Sequence, residues 1–184
     1  YEIKRSNVPE EQWTPHKLPN LITCFEVLEH VQAKHSVSML KAFYKLAVAG
    51  RAEVVMSTPC WNVKDTAKNH VNEMRQQALG AVIEDIGFEV MHNYGTFASI
   101  TDYRDTLFKQ YPGVEKFFND CREYQDTNVL ANMFCSPFPH LSRNSIWHLR
   151  PAKEGYKRQF PMLADVKKPW SSAEDWQNLD TVGG

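Results

Sequence analysis

Hydrophobic positions along the chain change period several times, and each change predicts an element. Leu21-Ile22-Thr23-Cys24-Phe25 is a nearly continuous apolar run bounded by Asn20 and Glu26. Such a run predicts a strand buried on both faces, as in a parallel sheet. From Ser36 to Ala49 the period becomes helical, with Leu40, Phe43 and Ala47 on one stripe and Met39 and Leu46 beside it. Ser36 is the expected N-cap and Gly50 the expected residue just past the helix. Ala52–Met56 predicts a second buried strand, stopped at Thr58-Pro59. A second helix is expected from about Val71 to Ile86, with Met74, Ala78, Val82 and Ile86 in phase and Leu79 and Ile83 widening the stripe. Gly87 closes it in a left-handed turn, and Phe88-Glu89-Val90-Met91 begins a third strand.

A helical region over 103–133, interrupted at Pro112-Gly113, presents Val114, Phe117, Phe118 and Cys121 on one face. Asn144–Leu149 alternates polar and apolar residues and predicts a fourth strand. The first twenty residues are polar, with Tyr1–Ile3 as the stub of a strand and breaks at Val8-Pro9 and Thr14-Pro15. From Pro151 onward the chain is polar and punctuated by Trp170 and Trp176, which predicts an irregular tail over 151–184 that packs loosely or binds a partner. The alternation of strands and helices over 1–150 predicts an α/β layered sheet with right-handed crossovers. The long insertion before the last strand lets that strand return antiparallel to its neighbour.

Composition narrows the class. The chain has 184 residues, 42% hydrophobic and 23% charged, which fits one globular domain and excludes disordered, collagen-like and disulfide-scaffold chains. A net charge of -1 gives no global attraction to nucleic acid or membrane. Locally, Arg143, Arg150, Lys153, Lys157 and Arg158 form a basic stretch, read either as a phosphate site or as a solvated face. No apolar run approaches the roughly 20 residues of a membrane span. Cys24, Cys60, Cys121 and Cys135 lie far apart with no close pair, so buried, reduced thiols in a cytoplasmic protein are expected. The chain opens on Tyr1 with no signal-peptide pattern, as expected of a fragment or a processed product.

The segment of greatest chemical interest is Leu21–Val31, LITCFEVLEHV, a buried strand whose C-terminal end carries acidic residues and a histidine. Ligands of doubly wound sheets bind at that edge. In order after it come a helix ending at Gly50, a strand ending in Ser57-Thr58-Pro59, and a helix ending in GFEV. Over about residues 18–150 this series resembles the class I S-adenosylmethionine-dependent methyltransferases, whose fourth strand often reads Asp-x-Ile-x-Cys-x-Glu-Val-Leu-Glu-His-Val. Asn20 stands where that first Asp is usual.

The resemblance implies a Rossmann-like methyltransferase sheet, mostly parallel, with Phe88–Ser99 and Asn144–Leu149 as a terminal antiparallel pair. It implies methyl transfer from S-adenosylmethionine to an acceptor the sequence does not identify, either a small molecule or a nucleic acid ribose or base. Cys24, Phe25 and Glu26 would line the cofactor pocket, and Trp61 and Asn62 would face the acceptor, Trp61 by stacking on a ring. The plainer reading makes Cys24 and Phe25 the end of a core strand and Trp61 a half-buried loop aromatic. The family's Gly-rich first loop and the acidic residue after its second strand have no counterpart here. The N-terminal strands are therefore expected to be missing or supplied elsewhere, by an upstream half or a partner chain. A function of another class fits the same gap: a non-catalytic scaffold or interaction subunit that docks on a partner.

Glu26, Glu29, His30 and His70 form a further constellation. Glu26 and Glu29/His30 stand three and four apart, so a helical turn would bring them to one face, and His70 is expected to open the next helix at the same edge. Two carboxylates and two imidazoles suit a divalent metal with open positions for a substrate oxygen. The set resembles that of the small-RNA 2′-O-methyltransferases, whose Glu-x-x-Glu-His and distant His bind such a metal. His70 and Glu73 of HVNEM are similar to their His-x-x-Glu. Two other readings stand beside it: local capping and packing by the Glu-His pair, or a general-base role for His30 or His70. Methyl transfer itself demands mainly in-line positioning, because the sulfonium is already a reactive donor. No Asn/Asp-Pro-Pro-Tyr/Phe segment, GxSxG, P-loop, HExxH or EF-hand loop occurs.

Overall fold

The first strand, β1 (Leu21–Phe25), lies parallel to β2 (Glu53–Pro59), with Leu21 opposite Glu53 and Phe25 opposite Ser57. Between them runs α1 (Ala33–Gly50), the crossover that a parallel pair requires. The computed structural model that gives this architecture describes residues 18–62, 66–98, 100–104 and 106–171. The expectations for Tyr1–Ile3, Val8-Pro9, Thr14-Pro15 and Trp176 lie outside those residues. After α2 (Gln76–Ile86), β3 (Phe88–Phe97) leads into short helices α3 (Ile100–Arg104), α4 (Leu107–Gln110), α5 (Pro112–Cys121) and α6 (Thr127–Cys135). The last strand, β4 (Asn144–Pro151), then slots between β2 and β3, antiparallel to both.

The spatial order is β1-β2-β4-β3. The fold is α/β, as expected, but the sheet is mixed rather than mostly parallel. It has one parallel pair, because β4 separates β3 from the strand to which it runs parallel. Alternation decides which face is covered. Val54 and Met56 of β2 and Trp147 and Leu149 of β4 are fully buried and pack with Leu40 and Ala47 of α1 and Leu79 and Ile83 of α2. On the opposite face Leu21, Phe25 and Tyr94 are exposed, and the rings of His92 and His148 stack at 5.6 Å.

Several expectations are corrected. β1 is not buried on both faces: Leu21 and Phe25 are 52% and 53% exposed, because they point to the sheet face away from the core that takes Ile22 and Cys24. Helix α1 begins three residues before Ser36, with Gln32 as N-cap. The Ser36 hydroxyl instead donates to the carbonyls of Leu28 and Gln32, bonding back inside the first turn. Gly50 is the last helical residue rather than the one past it, and Arg51, at φ 54°, takes the left-handed turn; Gly50 is glycine because an added Cβ would sit 2.2 Å from the Pro19 carbonyl oxygen. Gly87, at φ 115°, closes α2 as predicted. The helical region breaks between Gln110 and Pro112, as expected, and Pro112 starts the helix that follows, as its fixed φ and missing N–H favour.

The insertion between β3 and β4 builds its own small core from Tyr103, Leu107, Phe108, Phe118 and Leu130. Residues after Pro151 are irregular but not loose as far as Ser171. Phe160 packs on Trp147 at 5.6 Å between ring centres, and Trp170 is 3% exposed. Pro169 accepts a hydrogen bond from the Arg75 backbone, and Trp170 makes a bridge with Met74, so this stretch straps the segment that precedes α2.

Candidate functional site

β1 and β2 end side by side, and their C-terminal edge carries the cluster. Glu26 follows β1 at φ 55°, a left-handed conformation that a non-glycine residue adopts only when its surroundings hold it there. Its N–H donates to the Ser57 carbonyl, and its carboxylate accepts from Ser57 Oγ at 2.5 Å and from Asn144 Nδ2 at 2.9 and 3.1 Å. The chain then makes one 3-10 turn, Leu28–His30, which buries Leu28 and Glu29. The Glu29 carbonyl accepts from the N–H groups of Val71 and Asn72, stapling the 67–72 loop onto this turn. That loop carries His70, which lies in a turn ahead of α2 rather than opening the helix.

Glu29, His30 and His70 each present a ligand atom, and these atoms lie within 4.8 Å of one another. Glu29 is 1% exposed, and its carboxylate accepts from Thr58 Oγ1 at 3.2 Å. Burial pushes its carboxyl above the usual range, and the nearby Glu26 charge adds to this; its own backbone hydrogen bond, Thr58 and His30 work in the other direction. His30 Nδ1 lies 3.1 Å from the Asn69 carbonyl. A carbonyl only accepts, so Nδ1 carries a proton, and in the neutral ring the lone pair is on Nε2, 3.7 Å from Glu29 Oε1. His70 Nδ1 lies 2.5 Å from the Glu73 carboxylate, and the two imidazole rings meet edge to face at 5.1 Å.

This donor set fits a divalent cation. Three ligand atoms about 2.1 Å from one ion stand roughly 3.0–3.6 Å apart, so groups that lie within 4.8 Å of one another must draw in by about an ångström to share it. A buried carboxylate and two imidazoles whose far nitrogens face acceptors are what such an ion uses. Glu26, the fourth expected ligand, is turned to Ser57 and Asn144 and stands outside the cluster. The left-handed residue ahead of the 3-10 turn breaks the helical spacing that would have aligned it with Glu29.

The other expected residues divide as follows. Cys24 is buried, its thiol raised to about 11 by desolvation and by Glu29. Phe25 is exposed at the rim. A cavity of about 470 Å³ is lined by His70, Glu73, Pro59, Asn62, Phe97 and Arg143. A second, of about 280 Å³, shares Cys60, Asn62 and Arg143 with it and adds Trp61, Arg75, Gln76 and His140. Asn62 therefore lines both spaces and Trp61 the one farther from His70. The basic stretch is largely neutralised: Arg143 pairs with Asp102, Arg150 with Glu89, and Arg158 with Asp85 and Glu84.

Thr58 and Asn144 belong to the site and were not singled out from sequence. Thr58 could have been found as the second residue of Ser-Thr-Pro at a strand end, whereas Asn144 meets Glu26 across 118 positions with no local signal. No family model matches the chain, and no curated protein is found to match it. Among the described residues no helix is long and apolar enough to cross a membrane.

Proposed function

We propose that this chain is the back portion of an S-adenosylmethionine-dependent methyltransferase sheet, and that its rim serves transfer of a methyl group to an acceptor oxygen. The observation that carries the reading is strand arrangement: a parallel β1–β2 pair, followed by an antiparallel β4 inserted ahead of β3. Placed on that sheet, LITCFEVLEHV ends at the edge where α/β folds bind ligands. Support for the acceptor side comes from Glu29, His30 and His70, of which His70 lines a cavity of about 470 Å³.

In the reaction the acceptor oxygen attacks the sulfonium methyl carbon, the carbon–sulfur bond breaks, and the thioether leaves neutral. The acceptor proton must go to a base or to water. Glu29, His30 and His70 would hold the divalent cation, which supplies Lewis acidity toward an acceptor oxygen when bound. The chain's own contribution is orientation. The Asn69 carbonyl and the Glu73 carboxylate fix the two imidazoles, Thr58 fixes Glu29, and the Pro59–Asn62 segment shapes the acceptor side.

Calorimetric titration with S-adenosylhomocysteine, on the protein in the full length its gene encodes, tests the reading. Saturable heat is expected; folded protein that gives no heat refutes it and leaves the scaffold role. Elemental analysis of the Glu29→Ala/His30→Ala variant tests the cation separately, and metal content equal to that of the parent removes it.

A further inference from the structure

His70 is the one member of the cluster delivered by a loop, and the loop's geometry rests on Glu73. The Glu73 side chain is 9% exposed, and its Oε1 lies 2.5 Å from His70 Nδ1 while also accepting from the Ala67 N–H at 3.4 Å. A carboxylate has only acceptor sites, so this contact holds a proton on Nδ1, and in the neutral ring it places the lone pair on Nε2, toward the space shared with Glu29 and His30. Glu73 is itself gripped from outside the loop. Its N–H donates to Ser171 Oγ at 2.8 Å, and its carbonyl accepts from the Ser171 N–H at 2.8 Å. Pro169 and Lys167 add bonds to the backbone and guanidinium of Arg75. The strap from Lys167 to Ser171 thus holds the segment that orients His70, although it lies about a hundred positions later in the chain.

We propose that Glu73 is a positioning residue that sets the tautomer and orientation of His70, and that Ser171 secures it through the C-terminal strap. The cation-affinity consequence rests on the reading of the previous subsection; the tautomer consequence does not. A carboxylate behind a ligating imidazole typically contributes 10–100-fold to metal affinity.

The experiment has two arms on the 184-residue chain. Nitrogen-15 spectra of the metal-free protein read the His70 tautomer, and Co2+ titration followed by visible absorption reads affinity and ligand geometry. The parent is expected in the Nδ1–H form. Glu73→Ala should lose that form and weaken Co2+ binding roughly 10–100-fold. Glu73→Gln, which keeps an acceptor oxygen, should retain the tautomer with a smaller loss. Ser171→Ala, which leaves the carboxylate in place, should weaken binding several-fold with the circular dichroism spectrum unchanged, and it keeps the test open should Glu73→Ala fail to fold.

A Glu73→Ala protein with an unchanged His70 tautomer overturns the proposal, as does a folded Ser171→Ala protein with parental tautomer and parental affinity. If the parent binds no Co2+, the cation reading falls. The positioning role is then judged on the tautomer alone, with loss of the Nδ1–H form in Glu73→Ala upholding it and retention ending it.

Discussion

Glu29→Gln separates what the fold gains from Glu29 from what the site gains. The carboxylate is 1% exposed and has one side-chain donor, Thr58 Oγ1 at 3.2 Å, while Glu26 adds a like charge nearby. Glutamine keeps an oxygen for Thr58 and removes the buried charge. Burial, the largest cause, raises the Glu29 carboxyl, so the folded chain holds its proton to a higher pH than the unfolded chain does. The contribution of Glu29 is therefore fully present below the ordinary carboxylate range and is lost as pH climbs through the raised value. At pH 7 without divalent cations, the variant should be more stable than the parent by roughly 1–3 kcal/mol, the penalty of an incompletely compensated buried polar group. The advantage should vanish in acid. Mn2+ at a thousand times its Kd should reverse the order: an ion binding only the folded parent then adds about 4.1 kcal/mol, and the variant should gain little. Urea unfolding at pH 4 and pH 7, with and without Mn2+, reads all four conditions. A variant less stable than the parent at pH 7 without the ion, or an equal gain from Mn2+ in both proteins, would refute the reasoning.

Glu89→Gln should act in the opposite sense. Burial raises the Glu89 carboxyl, but the Lys153 N–H and the Arg150 guanidinium outweigh it and hold the group below the usual range. Its contribution is present at neutral pH and is lost as pH falls through that lowered value, so the variant should lose about 1–3 kcal/mol at pH 7, and less in acid, by urea unfolding. Gly95→Ala would place a Cβ 2.2 Å from the Cys135 carbonyl oxygen and 2.6 Å from Ser142 Cβ, so a loss of roughly 1–3 kcal/mol and a Tm lower by several degrees are expected in a thermal melt. Of the four thiols, Cys24, Cys60 and Cys135 are buried, and burial raises both Cys24 and Cys60 to about 11. Ellman's reagent at pH 8 should label Cys121 promptly and the others only on unfolding; rapid labelling of two or more in the native protein would contradict this packing.

What could be read from the chain was what neighbours in sequence decide. Alternation in Trp147 and Leu149 marked the inward face of the strand at Asn144–Leu149, and Gly87 marked the end of α2. The misreadings share a cause. Leu21–Phe25 has the composition of a strand covered on both faces, but composition does not encode whether anything packs on the face that Leu21 and Phe25 occupy. Ser36 has the chemistry of a cap, yet a hydroxyl in the first turn satisfies itself on Leu28 and Gln32 equally well. Spacing grouped Glu26 with Glu29, and one positive φ between strand and turn undid it. Glu29, His30 and His70 were legible as a set of residue types. The contacts that orient them, from Asn69, Thr58 and Glu73, and the bonds that tie Glu26 to Asn144, depend on tertiary approach.

The placement of β4 has a consequence for how the molecule is made. During synthesis β1, β2 and β3 emerge well before Asn144, yet β2 and β3 do not touch as neighbours; a gap one strand wide, roughly 10 Å between their axes, waits between them. The nascent polypeptide holds two open ladders until its last strand leaves the ribosome and zips both at once, Val54 to Leu149 on one side and Val90 to Leu149 on the other. Until that eight-residue segment pairs, the facing edges of β2 and β3 stay open, and open strand edges are templates for aggregation.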